Sequence, residues 1–312
     1  MFQGMEYVYE VYKEKNFSKA ARNLFISQPS LSANIKRIEK KLCYPIFDRS
    51  TKPLGLTECG KQYIRAVEKI MEAQNEFSDF INDWGELKTG SIALGGSSLF
   101  SSWVLPQLIG QFTRTYPLVK IDLVEESTGK LEKLLQNGSV DLVLDNCDLD
   151  LTVFERCIYQ EEHLLLAVPR LFKPNLSLHA YQIQADKIRS RAYLENDVPV
   201  VPLEVFSDYP FVMLKPENDT RKRSMEICHR QKFHPKIEFE LDQQQTAYHI
   251  TCSGLGISFV SDTLIDKCVD NPNVVYYKLG DKNSCRNLYF YWKKGRYISR
   301  AMEEFLKMIT SA

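Results

Sequence analysis

The sequence predicts a small helical head, one long connecting helix and a larger α/β body. Three observations carry that prediction. Charge is divided along the chain: residues 1–70 hold 13 Lys/Arg against 7 Asp/Glu and residues 71–312 hold 27 against 33, so a neutral chain has a basic head and an acidic body. From Phe2 to Trp84 the apolar residues recur mainly at helical spacing. Beyond Gly90, short apolar runs of strand type alternate with helical stretches, the pattern of parallel or mixed sheets covered on their faces.

The 312 residues suffice for two domains, and 44% hydrophobic with 26% charged content is that of an ordinary globular protein. The first residues carry Glu6, Glu10 and Glu14 in place of a signal-type apolar run, and no stretch is long enough to span a bilayer, which leads us to expect a cytoplasmic protein without a membrane partner. Eight cysteines are scattered without a CxxC pair, so neither a disulfide framework nor a zinc knuckle is expected.

In the head, Phe2, Met5, Val8 and Tyr12 mark an amphipathic helix ending near Asn16. Ser18 is the expected N-cap of a short second helix to Leu24, with Phe25 and Ile26 filling a turn. Ser27 caps a third helix, where Pro29 falls in the first turn at no cost in hydrogen bonds. Leu31, Ile35, Ile38 and Leu42 form its buried stripe. The opposite arc carries Pro29, Ala33, Lys36, Arg37 and Lys40, with Ser32 on its flank and Gln28 at the N-terminal end. A polar uncharged tip followed by cations suits a helix whose first turn meets base edges and whose later turns meet phosphates; a solvated basic face is the alternative. Ile46 and Phe47 begin a strand, Ser50 to Gly55 turns, and Leu56 returns, giving a small hairpin that bears Arg49 and Lys52. A basic helix beside a basic hairpin is a winged helix-turn-helix outline.

From Thr57 to Leu87 the chain lacks proline, and Tyr63, Val67, Ile70, Gln74, Phe77, Ile81 and Trp84 follow a heptad seam. Such a seam either pairs with a second copy or packs on its own body; pairing gives a homodimer or homotetramer, with Gln74 fixing register. Lys88, Thr89 and Gly90 read as a hinge.

In the body, strands are expected at 91–95, 119–124, 141–145, 163–168, 211–214, 236–240, 257–260 and 288–292, and helices at 105–116, 130–137 and 299–310. Ligands in open α/β layers sit beyond the carboxyl ends of strands, where helix N-termini offer free N–H groups. Four segments qualify: Ser97 and Ser98 with Ser101 and Ser102, then Ser127 and Thr128, then Asn218 and Thr220, and Gln244 among three glutamines. Each hydroxyl taken alone is more often a plain helix cap; their convergence in one cleft is what points to a ligand. Arg221, Lys222 and Arg223 form either a solvated face or an attraction for an anionic ligand. The segment 172–205, rich in Tyr, Arg and Val-Pro, reads as a lid or as added surface.

Enzymatic signatures are weak. Gly95-Gly96-Ser97-Ser98-Leu99 lacks the closing glycine of a nucleophile elbow, and neither a phosphate loop nor a dinucleotide fingerprint occurs. His249-x-x-Cys252 and Cys228-His229 do not make a metal site by spacing, so no metal or other cofactor is expected.

The stretch FSKAARNLFISQPSLSANIKRIEKKL, followed by IFDRS and LGLTECG, resembles the N-terminal signature of the LysR-type transcriptional regulators: A-A-x-x-L-x-x-S-Q-P-x-L-S-x-x-I, then L-F-x-R and L-T-x-x-G. The resemblance implies an N-terminal all-α winged helix-turn-helix (1–58), a long linker and dimerisation helix (59–88) and a C-terminal α/β two-lobed, periplasmic-binding-protein-like effector domain (89–312). Its lobes would be 89–160 with 268–312, and 161–267. It further implies a non-enzymatic, sequence-specific regulator whose partners are double-stranded DNA and a small-molecule effector held between the lobes. Family DNA contacts fall on Gln28, Pro29, Ser32 and Arg49. Ala33 stands where many members have Arg, which leaves Asn34, Lys36 and Arg37 as readers, and Cys43 stands where a helix-ending Gly is usual. The competing reading is a solute-binding or enzymatic α/β body whose helical head binds protein and not DNA.

Overall fold

The computed structural model describes residues 2–83, 90–195 and 198–310. The chain forms two compact units, residues 1–84 with 137–139, and residues 85–136 with 140–312.

In the first unit, α1 (Met5–Glu14), α2 (Phe17–Asn23) and α3 (Gln28–Leu42) precede a two-stranded wing, β1 (Phe47–Asp48) and β2 (Gly55–Leu56), and the long α4 (Glu58–Asp83). Val8, Leu31, Ile35 and Ile38 of the expected stripes are buried in one core with Val11, Ala20 and Ala21, and Phe2, Met5, Tyr12 and Leu42 pack half-buried against it. Asn16, not Ser18, caps α2: its Oδ1 accepts from Ser18 N at 2.9 Å and Lys19 N at 3.0 Å. Phe25 does not fill the turn, because φ +53° turns its side chain outward to 96% exposure. Ser27 does cap α3, accepting from Ser30 N at 3.3 Å. Cys43 ends α3 at φ +62°, the left-handed conformation that glycine adopts without penalty. Thr57 Oγ1 accepts from Gly60 N at 2.9 Å to start α4, and Gly60 lies so close to the wing that a Cβ there would meet Ile46 O at 2.0 Å.

The heptad seam divides. Tyr63 and Val67 are 5% and 0% exposed within their own unit, Tyr63 stacking on Phe2 at 5.3 Å, so neither is open to a second copy, a correction to the expected seam. Ile70 is half-buried, Gln74 is exposed, and Phe77 and Ile81 are 63% and 54% exposed. Trp84 and the expected hinge residues Lys88 and Thr89 lie outside the described residues.

The second unit runs β3 (Gly90–Gly96), α5 (Leu105–Thr115), β4 (Val119–Glu125), α6 (Thr128–Gln136), β5 (Leu142–Asp145), β6 (Phe154–Pro169), β7 (Gln182–Ile183), α7 (Ala185–Arg189), β8 (Pro210–Leu214), α8 (Asp219–Arg230), β9 (Lys236–Leu241), α9 (Gln244–Cys252), β10 (Ile257–Ser261), α10 (Asp262–Lys267), β11 (Val274–Lys278), β12 (Cys285–Lys293) and α11 (Arg300–Thr310). The strands join in the order β4-β3-β5-β12-β6-β10-β8-β9, and β11 pairs with both β6 and β7. In the first lobe β4, β3 and β5 are parallel and β12 is antiparallel; in the second, β10, β8 and β9 are parallel.

The strand β6 serves both lobes. Its residues 154–163 pair with β12, and residues 164–169 pair with β10 and β11. Alternation then places Leu164, Leu166 and Val168 in one core and Leu165 and Ala167 in another. Because β11 pairs with β6 at 165–169, the chain re-enters the first lobe at β12 and not at 268, a correction to the expected lobe boundary. Within 172–205, among the described residues, Ile183, Ile188, Tyr193, Val201 and Leu203 are buried in the two main cores of the body, so the segment is packed into the body and is not a lid. The last helix returns to the first lobe, with Phe305 edge-on to Phe112 at 5.3 Å.

Candidate functional site

The outer side of α3 is open within its unit. Gln28, Pro29, Ala33, Lys36 and Arg37 are exposed, while Ser32 and Asn34 are half-buried. Asn34 Oδ1 accepts from Arg37 Nη2 at 2.9 Å, so these two candidates hold each other, and Gln28 Oε1 accepts from Ser18 Oγ at 3.2 Å. The wing is tied to α3 through Glu39, whose Oε1 accepts from Ile46 N at 2.8 Å and Phe47 N at 3.3 Å. Arg49 lies over the Phe17 ring at 5.4 Å with Nη2 3.4 Å from Glu39 Oε2, which presents a partly exposed guanidinium, and Lys52 is exposed in the wing turn.

In the body, one run of hydrogen bonds crosses from the strand ends of the first lobe to those of the second. Thr128 Oγ1 donates to Asp145 Oδ2 at 2.8 Å, and Asp145 Oδ1 accepts from Cys147 N at 2.9 Å. Asn146 lies 3.5 Å from Glu162 Oε2, which accepts from Arg286 Nε at 2.7 Å. Arg286 Nη1 donates to Asp219 Oδ2 at 2.8 Å and Thr220 Oγ1 at 3.0 Å. Gln244 Nε2 reaches Thr220 Oγ1 at 3.4 Å, and Gln244 Oε1 accepts from Ser261 Oγ at 2.9 Å.

At the centre of this run, the Glu162 and Arg286 side chains are 0% and 1% exposed. Burial opposes the Arg286 charge, yet Glu162 and Asp219 outweigh it and raise the guanidinium pKa further. Burial raises the Asp145 carboxyl, against hydrogen bonds from Cys147 and Thr128 that pull it down. Burial, with Asp145 and Asp219 beside it, pushes the Cys147 thiol up and disfavours a reactive thiolate there. Glu162 Oε1 and Arg286 Nη2 are buried without hydrogen-bond partners, one acceptor and one donor left open in the same cluster.

Of the expected cleft residues, Thr128, Thr220 and Gln244 meet in this run. Asn218 stands beside it as the cap of α8, accepting from Thr220 N at 2.9 Å. Ser101 is buried on the Gly96 carbonyl at 2.9 Å, Ser97 and Ser98 are half-buried, and Ser102 and Ser127 are exposed. In the run read either as a solvated face or as an attraction for an anion, Arg221 and Arg223 are paired, Arg221 Nη2 lying 3.1 Å from Glu240 and Arg223 Nε 2.7 Å from Asp219, while Lys222 is exposed. Asp145, Glu162, Asp219 and Arg286 were missed at the sequence level. The available signal for Asp145 and Arg286 was charge inside a largely apolar strand, whereas Glu162 lies in the charge-rich first half of β6 and Asp219 between the expected Asn218 and Thr220. A cavity of about 380 Å³, bordered by Arg170, Asp186, Asp270 and Tyr276, shares no residue with this cluster. The sequence pairs His249/Cys252 and Cys228/His229 assemble nothing, since Cys252 and Cys228 sit in separate cores.

A winged helix-turn-helix head joined to a two-lobed α/β body with a polar cluster between its strand ends defines a ligand-responsive regulator. The comparisons agree. Residues 2–61 match the bacterial regulatory helix-turn-helix protein, lysR family, and residues 85–312 match the LysR substrate binding domain. The chain belongs to the LysR family and is a DNA-binding transcriptional regulator with an effector-binding domain. It is 29% identical, over 97% of its length and 92% of the relative's, to an uncharacterized HTH-type transcriptional regulator, YcgK, of Bacillus subtilis (strain 168). Its fold is similar to that of full-length CbnR complexed with target DNA, with TM-score 0.64 and 16% identity over 100% of this chain and 99% of that one. It is also similar to the CcmR regulatory domain of Synechocystis PCC6803 in complex with 2-PG, with TM-score 0.58 and 16% identity over 71% of this chain and 96% of that one.

Proposed function

We propose that the N-terminal end of α3 reads base edges of double-stranded DNA in the major groove through Gln28, Pro29 and Ser32. Lys36 and Arg37, with Arg49 and Lys52 of the wing, would hold phosphates. The observation that carries this reading is the order along one exposed helix, an uncharged polar tip and then cations, beside a wing anchored to the same helix by Glu39. The DNA-bound neighbour CbnR supports it. Two copies, as a dimer or within a tetramer, would present two such helices by pairing along α4, where Phe77 and Ile81 expose the apolar surface that a partner helix covers. Such a regulator acts beside the chromosome, in the cytoplasm.

In the body, the effector would sit where Thr128, Thr220 and Gln244 converge on Glu162 and Arg286. The 2-PG-bound neighbour supports a small-molecule site in this type of domain. A ligand carrying both a hydrogen-bond donor and an acceptor would satisfy Glu162 Oε1 and Arg286 Nη2, two buried atoms of this cluster without hydrogen-bond partners. Regulation then follows from linkage: the ligand shifts DNA binding by as much as its affinity differs between two arrangements of the lobes.

The test is a gel shift on a dyad-bearing duplex at several salt concentrations. The native protein is expected to bind one such sequence steeply with salt. Gln28→Ala should lose about 10-fold or more of specific affinity, the value of a good base contact, with its sedimentation unchanged. Operator binding that survives Gln28→Ala unaltered would remove α3 from the reading role.

A further inference from the structure

The two strands that cross between the lobes carry chemistry on the side away from the Glu162–Arg286 pair. Successive strand residues alternate faces, so Glu161 and His163 share the face opposite Glu162. The register β6–β12 sets Cys285 directly across from His163 and Arg286 across from Glu162. A carboxylate, an imidazole and a thiol thereby meet: one ligand-capable atom from each of Glu161, His163 and Cys285 lies within 4.8 Å of the other two. We propose that these three side chains form a binding site for a divalent transition-metal ion of the zinc class, on the opposite face of the strands from the effector cluster.

The spacing and the donor set both fit. Two ligands about 2.0–2.1 Å from a tetrahedral ion stand about 3.3–3.4 Å apart, and His163 Nε2 is 3.4 Å from Glu161 Oε1. A mixed nitrogen, sulfur and oxygen set selects zinc or cobalt over magnesium or calcium, which take oxygen alone. The other ring nitrogen supplies an independent observation. His163 Nδ1 is buried with no hydrogen bond and faces Asp262 Oδ2 at 3.5 Å. A carboxylate behind Nδ1 is the outer-shell arrangement that fixes a ligating histidine with its Nε2 lone pair toward the ion.

Asp262 is itself held, its Oδ1 by His163 N at 2.9 Å and its Oδ2 by Tyr193 OH at 2.8 Å. Glu161 is half exposed at its side chain, which gives an ion a way in. Two cations stand nearby, Arg191 and Arg223, and each is engaged on a main-chain carbonyl, of Glu161 at 2.6 Å and of Cys285 at 3.3 Å. Against them stand Glu161, Asp262 and the Cys285 thiolate, which forms on coordination as its proton leaves to solvent. Three protein ligands leave a fourth position for water or an added donor. The ion would clasp β12 at its first residue to β6 where β6 changes partners between the lobes.

The experiment titrates full-length, chelator-treated protein with cobalt(II) and then zinc(II). One cobalt per chain is expected, with a thiolate-to-cobalt charge-transfer band in the near ultraviolet that zinc displaces, and a melting temperature that rises with zinc. Cys285→Ser should abolish the band, and Cys59→Ser, in the head, should leave it intact. Asp262→Asn should weaken the ion by about 10- to 100-fold, as loss of an outer-shell partner does. Glu161→Gln, at a half-exposed position, should weaken it while the melting temperature of the metal-free protein stays unchanged. Absence of cobalt binding, a band that persists in Cys285→Ser, or an affinity that Glu161→Gln does not alter would each overturn the site.

Discussion

Removing Arg286 should do more damage than removing any other single side chain of the cleft. Its guanidinium is 1% exposed and holds Glu162 Oε2 at 2.7 Å, Asp219 Oδ2 at 2.8 Å and Thr220 Oγ1 at 3.0 Å. In Arg286→Met, Asp219 keeps Arg223 at 2.7 Å, but Glu162, fully buried, is left with only Asn146 at 3.5 Å. Breaking a buried pair from one side costs about 3–5 kcal/mol, because the remaining charge stays desolvated and unpaired. For a body of this size that is a fall in melting temperature of about 6–20 °C. Replacing both partners, in Arg286→Met with Glu162→Leu, removes the stranded charge, and such replacements are often neutral. The double variant should recover most of the loss, with a residue of about 1 kcal/mol for the donors and acceptors left on Thr220 and Asn146. Urea unfolding of the body's transition by circular dichroism gives both numbers. A loss below about 1 kcal/mol in the single variant, or a double variant as unstable as the single, would show that water already reaches Glu162 and that the pair is not closed off as described.

The head offers sharper tests. Cys43→Gly should stabilise it by about 1 kcal/mol, since only a Cβ makes the left-handed end of α3 costly; an unchanged melting temperature would mean that the cysteine gains as much in contact as it loses in strain. Asn16→Ala should cost about 0.5–2 kcal/mol, the value of an N-cap, whereas Ser18→Ala should cost less. Ile81→Lys should dissociate paired copies in sedimentation while the head stays folded; an unaltered oligomer would take α4 out of the interface. In the body, burial raises the Asp145 pKa, so the folded state favours its protonated form. The stability this group contributes is present below the unfolded carboxylate range, about pH 4, and is lost as pH rises through the raised folded value. Asp145→Asn should therefore gain stability relative to the native chain as pH rises above about 4, read from urea midpoints at successive pH values; a difference that stays constant with pH would mean that the carboxyl is not raised by burial.

Much of this architecture was legible because single-element patterns decide it. The stripe Leu31, Ile35, Ile38 needs one helix, and Ser27 needs only the three residues after it. Errors arose where two readings of one pattern compete. Asn16 and Ser18 are both capping types, and the winner is the one whose side chain reaches two free N–H groups. Periodicity along α4 says that Tyr63 and Val67 are covered, not by what; in the fold it is Phe2 and the head's own core that cover them. The first half of β6 escaped notice because Glu155, Arg156, Gln160, Glu161 and Glu162 interrupt any apolar run, though a strand with one side facing solvent or a polar cluster needs none.

The cleft shows the limit in its clearest form. Strand-end reasoning points to Thr128, Thr220 and Gln244, since each follows a strand and lies at the start of a helix, and the fold draws all three into the same run of hydrogen bonds. It could not find Glu162 and Arg286, which are 124 residues apart and meet only because β12 pairs with β6 in one register. The same register brings Cys285 to His163 on the other face. A slip of one residue would exchange the two faces, putting Cys285 across from Glu162 in the buried cluster and leaving Arg286 outside, across from Glu161. A buried carboxylate with no guanidinium to answer it is the costly outcome of that slip, so the Glu162–Arg286 pair also selects the alignment that assembles Glu161, His163 and Cys285. The two clusters, one on each side of a two-stranded crossing, are thus specified by a single pairing energy, and a substitution that lets the strands slip should disturb both at once.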